Sequence, residues 1–408
     1  MGHSKIVGAI EIGTSKIAII IGEISSDSSL NIIGSYSVQS NGVKKGVIED
    51  LQVTGQIVHN AILQAETEAG TEIEEVYLAQ TGQHLAGVFN YGTTNVGASN
   101  GIITKADVEK AKEDARRPQL PAGRSFIHYI QNPFSVDGEK VENPIHMEGK
   151  RLQVGFWAIH ADNKTLQDSL RVIMGIPLVV EDVIVSSIAS GNALLQESEK
   201  KAGALVIDIG GGTSDFALYK DGYVVYTGVI PVGGDHISND LSMGLRTSVQ
   251  LADSLKLREG LASHAKQNTD ASAWLVGNQS IGDRKIPLIS VNKIVESRIK
   301  ELFELVREAL EEAKLYNPNE IGSGVILTGG TSRIEGIEVI AEKVLDLKCT
   351  KGECAWNIAK DLNIPEYSTT LGLLLFALGV FEEKQSKNTN NILGNLLRKF
   401  LPKQINLQ

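Results

Sequence analysis

The chain has 408 residues, 42% hydrophobic and 22% charged, ordinary globular material that is long enough for two cores, since single cores stop growing at roughly 250–300 residues. Its formal net charge of −10 argues against a general nucleic-acid surface. The two cysteines, Cys349 and Cys354, point to a reduced compartment without a disulfide framework and are too isolated for a zinc site, and the eight histidines are scattered.

Taken in chain order, Met1 to Lys5 leads straight into the strand-like KIVGAIEIG, with no secretory leader before it. IVGAIEIGTSKIAIIIGEI predicts a hairpin: strand, Glu11, Ile-Gly, hydroxyls, strand. Further on, Thr104 and Asp107 predict a capping-box start for a helix running to Arg117 and stopping at Pro118, followed by strands around SFIHYI and RLQVGFWAI. ALVIDIGGGTSDFALYKDG (Ala204–Gly222) then repeats the opening hairpin, with Glu11 corresponding to Asp208, Gly13 to Gly210 and Ile17 to Phe216. An echo about 200 residues apart predicts two related halves, each with a tight turn that needs glycine at positive φ. Such a turn aims backbone N–H groups at one point and makes a nest for phosphate. A carboxylate at the strand end makes sense if it holds a hydrated Mg²⁺. The plainer alternative is a pair of ordinary Gly-rich hairpins.

SGVILTGGTSRIEGIEVIAEKVL predicts a buried strand Val325–Thr328, a Gly329-Gly330 turn and a helix with Ile337, Ile340, Ala341, Val344 and Leu345 on one face. The paired glycines admit a ligand closely, and the helix N-terminus there favours an anion. Neither G-x-G-x-x-G nor a Walker lysine is present, which excludes Rossmann and P-loop readings. LGLLLFALGVF (Leu371–Phe381) is too short for a bilayer, which needs about 20 residues, and predicts a buried core helix. From residue 382 EEKQSKNTNN reads as a flexible linker. In the last segment Ile392, Leu393, Leu396, Leu397, Phe400 and Leu401 share one helical face, with Asn395, Arg398 and Lys399 opposite and Pro402 as the stop. From Lys384 onward there are five basic residues and no acidic one. A basic amphipathic helix after a linker reads as an anchor to an anionic membrane surface. Docking on the protein's own core or on a neighbour is the alternative, which the linker makes less natural.

Two phosphate loops and a late TGG turn resemble the actin, Hsp70 and sugar-kinase superfamily. Within it the chain most resembles the bacterial cell-division family FtsA, over about residues 5 to 381, through EIGTSKIAIIIGEI, NGVKKGVIEDL, NPIHMEGKRLQV and GGDHISNDLSMGLRTSVQLADSLK. The resemblance implies an α/β, actin-like two-domain fold of duplicated ribonuclease-H-like cores with an inserted small subdomain. Its parts fall at 1–83 and 164–200 for the first core, 84–163 for the insert, 201–240 and 308–360 for the second core, and 241–307 for an outer lobe. Residues 361–381 form a helix returning to the first core, and 382–408 the linker and membrane helix.

The resemblance also implies ATP and Mg²⁺. Gly13, Thr14, Ser15 and Lys16 face the phosphates from one side, Gly210, Gly211, Gly212 and Thr213 from the other, with Gly233 and Gly234 nearby. Glu11 and Asp208 position the metal, Gly329, Gly330 and Ser332 line the adenosine side, and Asp253 and Lys256 contact ribose and adenine. Three positions depart from the pattern: Glu11 stands for the usual aspartate, Asp253 for glutamate, and Ser186 of SSIASG for the glutamate that orients the attacking water. Serine is a poor base at neutral pH, so the expectation is ATP binding with at most slow hydrolysis, and no catalytic residue is assigned. The implied partners are the FtsZ C-terminal tail, met by Arg298 and Lys293, further copies of the chain in filaments, the inner face of the membrane at the septum, and other division-ring proteins. A sugar or metabolite kinase and a pilus-assembly-type actin-like adaptor are the rival readings.

Overall fold

The structure is a computed structural model that describes residues 4–98, 100–116, 119–262, 271–275, 283–356 and 358–389. The apolar run of the opening hairpin is continuous because both faces of its sheet are covered. Ile17, Ile19 and Ile21 point into one core, while Ile20 points into another on the opposite face. The hairpin is β1 (Lys5–Ile12) and β2 (Lys16–Ile24), followed by β3 (Leu30–Gln39), the short ribbon β4 (Val43–Lys44) and β5 (Val47–Ile48), α1 (Leu51–Ala69) and β6 (Glu75–Gln80). Asp50 caps α1 by accepting from Gln52 N and Val53 N, and Gly70 ends it at φ 68°.

The insert comprises β7 (Ala86–Asn95), α2 (Lys105–Ala115), β8 (Arg124–Val136), β9 (Glu139–Val141) and β10 (Arg151–Asp162), with sheet order β7-β10-β8-β9. The Thr104–Asp107 capping box forms as expected; α2 ends at Ala115, and Arg117 and Pro118 lie outside the described residues. Next come α3 (Asn163–Met174), β11 (Val179–Val185), α4 (Ser186–Leu194) and α5 (Glu197–Ala202). The second half has β12 (Ala204–Ile209), β13 (Ser214–Lys220), β14 (Tyr223–Ile230), α6 (Gly234–Leu245), α7 (Val249–Glu259), β15 (Ser272–Leu275), β16 (Arg284–Pro287), α8 (Leu288–Glu312), β17 (Val325–Thr328), α9 (Ile337–Leu345), β18 (Cys349–Lys351) and α10 (Ser368–Thr389).

The two main sheets have one topology, β3-β2-β1-β6-β11 and β14-β13-β12-β17-β18. In each, an antiparallel meander is followed by two parallel strands. The duplication is therefore real, and its register corrects one pairing: Ile12 faces Ile17 and Ile209 faces Ser214, so Ile17 is equivalent to Ser214 rather than Phe216. α4 and α10 lie between the sheets in one core with Ala9, Ile20, Tyr77, Val206, Ala217 and Tyr219. They cross so closely that a Cβ on Gly372 would sit 1.8 Å from Ala189 O. The insert spans the halves as well: Trp157 Nε1 donates to Thr227 Oγ1 at 3.0 Å and Asn132 Nδ2 to Val224 O at 3.1 Å.

Three expectations shift. α10 continues to Thr389 through the stretch read as linker from residue 382. α6 runs through residue 240 and α8 past 307, so the outer lobe shares one core with the second half. α9 starts at Ile337, after a 3₁₀ turn at Gly330–Arg333, so its N-terminus is not at the glycine pair. Among the described residues no helix is long and apolar enough to cross a membrane. The residues expected at the membrane, Ile392, Leu393, Leu396, Leu397, Arg398, Lys399, Phe400 and Leu401, lie outside the described residues.

Candidate functional site

The ends of β1 and β12 bring both hairpin turns to one cleft of about 1040 Å³ between the halves. The turns are built alike, with Gly13 N donating to Lys16 O and Gly210 N to Thr213 O, each at 2.9 Å. None of Gly13, Gly210, Gly211 and Gly212 has positive φ, contrary to expectation. Their smallness is needed for another reason: a Cβ on Gly211 would lie 1.7 Å from Ser15 Oγ, and one on Gly212 2.4 Å from Thr14 Oγ1. Glycine lets the two loops meet face to face. The first is also pinned by the ribbon behind it, where Gly46 N donates to Thr14 Oγ1 at 3.0 Å.

Three carboxylates converge behind the loops. Glu11 accepts from Lys16 Nζ at 2.5 Å. Asp208 accepts from Ser190 Oγ at 2.6 Å and Thr369 Oγ1 at 2.9 Å. Burial, reinforced by Glu11, pushes its pKa up to about 6 against those hydrogen bonds. Asp215 accepts from Thr81 Oγ1 at 2.6 and 2.7 Å. Burial pushes it up to about 8, with the charge of Asp208 adding to the shift and the Thr81 hydrogen bond opposing it. Glu11, Asp208 and Asp215 offer only oxygen donors, and a nearby cation would return the raised Asp208 and Asp215 to their charged forms. Among the described residues no group of three sits close enough to hold a metal directly, so the fit is to an oxygen-loving divalent cation acting through its water shell.

At the far end, Asp253 accepts from Lys256 Nζ and Ser238 Oγ, each at 2.7 Å, and Lys256 also reaches Gly234 O at 3.2 Å. Burial alone would raise the Asp253 carboxyl, but these hydrogen bonds and the lysine charge hold it below the usual range. The first amides of α6 are used on the second loop, Gly234 N to Gly210 O and Asp235 N to Gly211 O. Ser186 lines the cleft, is buried, and donates to Gln80 O at 3.3 Å.

Most of the expected residues line this one cleft: Glu11, Gly13 to Lys16, Asp208, Gly210 to Thr213, Gly234, Asp253, Lys256 and Gly330. Three lie behind its wall. Gly233 packs under the second loop, with a Cβ position 2.5 Å from Gly210 O. Gly329, at φ 79°, leaves room for Asp208, whose Oδ1 would be 2.4 Å from its Cβ. Ser332 is buried and donates to Gly329 O. Sequence reasoning missed Thr81, Ser190, Asp215, Thr331, Arg333 and Thr369. Asp215 was legible as a carboxylate inside an apolar strand; the hydroxyls carry no such signal. Arg298 is held by Asp240 (2.6 and 3.0 Å) and pairs with Glu301, while Lys293 is exposed on the same helix.

Comparison with known proteins completes the picture. The family model described as cell division protein FtsA matches residues 205–372, and that of the SHS2 domain inserted in FtsA matches 82–160. The cell division protein FtsA of Neisseria meningitidis is 32% identical over 379 residues, covering 91% of this chain and 90% of that one. The chain belongs to the FtsA family. FtsA of Pseudomonas aeruginosa is 30% identical over 388 residues (94% and 90% of the two chains), and that of Escherichia coli 31% over 385 (91% and 90%). The FtsA-family fold here is also that of more distant solved structures. The PilM-PilN type IV pilus biogenesis complex aligns with TM-score 0.61 at 16% identity over 91% of this chain and 98% of that one. MreB5 of Spiroplasma citri bound to AMPPNP aligns with TM-score 0.53 at 15% identity, over 95% and 98%. The architecture is thus actin-like, with the FtsA-type insert, and the protein is a cell-division protein.

Proposed function

We propose that this cell-division protein binds Mg²⁺–ATP in the cleft, assembles into filaments, and tethers FtsZ filaments to the cytoplasmic face of the membrane at the septum. The observation that carries the nucleotide part is the pair of matched loops, Gly13–Lys16 and Gly210–Thr213, meeting in front of Glu11 and Asp208. The loops hold the phosphates. The carboxylates act through water, because Mg²⁺ keeps most of its own shell. Bound Mg²⁺ supplies charge neutralisation between the phosphates and these acids. Lys256 and Asp253 orient the ribose and base, with Gly330 beside them.

Ser186, where a glutamate would orient water, leaves the cleft without a general base at that position. ATP therefore acts chiefly as a structural ligand that joins the two halves, with slow turnover at most. The FtsZ tail meets the outer lobe on α8 around Lys293 and Arg298, and the C-terminal segment contacts the lipid. Calorimetry with Mg²⁺–ATP tests the cleft. Asp208→Ala is expected to abolish measurable binding while the far-UV spectrum stays unchanged; unaltered affinity overturns the assignment.

A further inference from the structure

VIMGIPLVV, residues 172–180, runs from α3 into β11 without one charged or polar side chain. That composition belongs in a core, yet Met174 is 73% and Val179 58% exposed, and Pro177 is exposed between them. The other apolar side chains of the stretch are in the core, with Val172 and Ile173 buried and Ile176, Leu178 and Val180 packed against it. The exposed apolar residues are thus three that fall within six positions of one another, and clustered exposed apolar surface marks a contact site. Its border is acidic. Glu72 and Glu74 are exposed just before β6, Val179 N donates to Glu74 O at 2.8 Å, and Glu181 follows on the same strand. Arg171, at the other end, is paired with Asp168. β11 is the edge of its sheet.

α10 passes this corner five residues before its end at Thr389. Lys384 Nζ lies 3.9 Å from Glu181 Oε2, and Glu181 is two strand residues, about 7 Å, from Val179. Residues 390–408 follow Thr389, with the apolar face Ile392, Leu393, Leu396, Leu397, Phe400 and Leu401 and the cations Arg398, Lys399 and Lys403. Asn390 and Asn391 are long enough to reverse the chain, since helix–helix connections start at about two residues.

We propose that, away from lipid, segment 392–401 of the same chain docks on the corner made by Met174, Pro177 and Val179, with its basic residues toward Glu72, Glu74 and Glu181. The apolar face cannot lie on this corner and in a bilayer at once. Docking therefore competes with membrane attachment and lowers vesicle affinity in proportion to the docked fraction. The competition rests on the anchor role proposed above; the docking does not.

The test uses the full chain and two readouts: hydrogen exchange of residues 392–401 without lipid, and co-sedimentation with phosphatidylethanolamine–phosphatidylglycerol vesicles. The wild-type amides are expected to be protected at every protein concentration. Met174→Ser with Val179→Ser, and separately Glu74→Lys, change exposed side chains only; each is expected to lose the protection and bind vesicles about fivefold more tightly. Free-peptide exchange in the wild type overturns the proposal. So does protection that both variants retain, or protection that appears only at high concentration, which assigns the corner to a second copy. Protection lost in the variants with no vesicle binding by any protein leaves the docking standing and removes the anchor role instead.

Discussion

At the scale of single residues, burial lowers four histidines, His84, His128, His160 and His236, and two of them far enough to stay neutral well below the ordinary value of 6.5. His84 is held down to about 4 by burial, with the Arg124 charge adding to the shift against Asp162. His128 is pushed to about 4 by burial, against a hydrogen bond to Val183, and its Nε2 has no partner among the described residues. Both folded values lie below the ordinary 6.5. The unfolded chain therefore binds more protons between about pH 6.5 and 4, and stability present above 6.5 is lost as the pH falls. His128→Leu is expected to remove its share of that loss, on the order of 2 kcal/mol by about pH 5. Urea unfolding from neutral to acidic pH checks it, and parallel curves for the two proteins would contradict it. The acids of the cleft show what is readable at this scale. Glu11 and Asp208 stand out because a carboxylate closes an apolar strand just before a glycine turn. Thr81, which holds Asp215, lies 134 positions away. Nothing local marks a threonine as the partner of a distant carboxylate, because the pairing is made by the packing of two halves.

At the scale of elements, the hairpins were readable from alternation and from the echo between them, whereas the reason for their glycines was not. The expectation of positive φ treated each turn alone. The requirement is set by the opposite loop, which approaches to within contact distance. Gly211→Ala therefore needs no change of backbone conformation but drives a methyl into Ser15. It is expected to lower ATP affinity by at least tenfold while shifting the melting temperature by only a few degrees; titration calorimetry beside thermal melts separates the two. Helix α8 gives a second case. Arg298 reads either as a partner contact or as a plain charge pair on a helix, and its guanidinium forks onto Asp240 of α6 and ties the two helices of the outer lobe together. Arg298→Ala is expected to cost about 1.5–3 kcal/mol of stability, the range for hydrogen bonds to charged groups, whereas Lys293→Ala costs almost none. If both residues also meet the FtsZ tail, an FtsZ C-terminal peptide loses affinity in both variants, and Lys293→Ala gives the loss free of any structural contribution.

At the scale of the whole molecule, the duplicated topology follows from two matched stretches. The way the halves are joined does not. α4 and α10 are sandwiched between the sheets, and the insert, rooted in the first half, grips β14 of the second through Trp157 and Asn132. Both contacts link segments far apart in sequence. On the function proposed above, a nucleotide held by both loops would add one more join between the halves, and assembly would govern attachment to lipid. A single tail has limited strength. In the proposed anchor its six apolar side chains, each only partly buried, would contribute several kcal/mol together, against roughly 1.5–3 kcal/mol each for full burial, and Arg398, Lys399 and Lys403 about 1 kcal/mol each at an anionic surface. Ordering a short helix opposes both, because isolated helices under about 12–15 residues are marginal in water. In the proposed filament each copy would bring one tail, and once a first tail is attached the others would bind at high effective concentration. ATP is therefore expected to strengthen vesicle binding of the wild type without altering the tail. Leu396→Glu with Phe400→Glu is expected to abolish co-sedimentation with anionic vesicles in the presence of ATP, while calorimetric ATP affinity stays within about twofold. Persistent pelleting of this double variant with the lipid would assign the tail to a protein partner and detach the cleft from membrane recruitment.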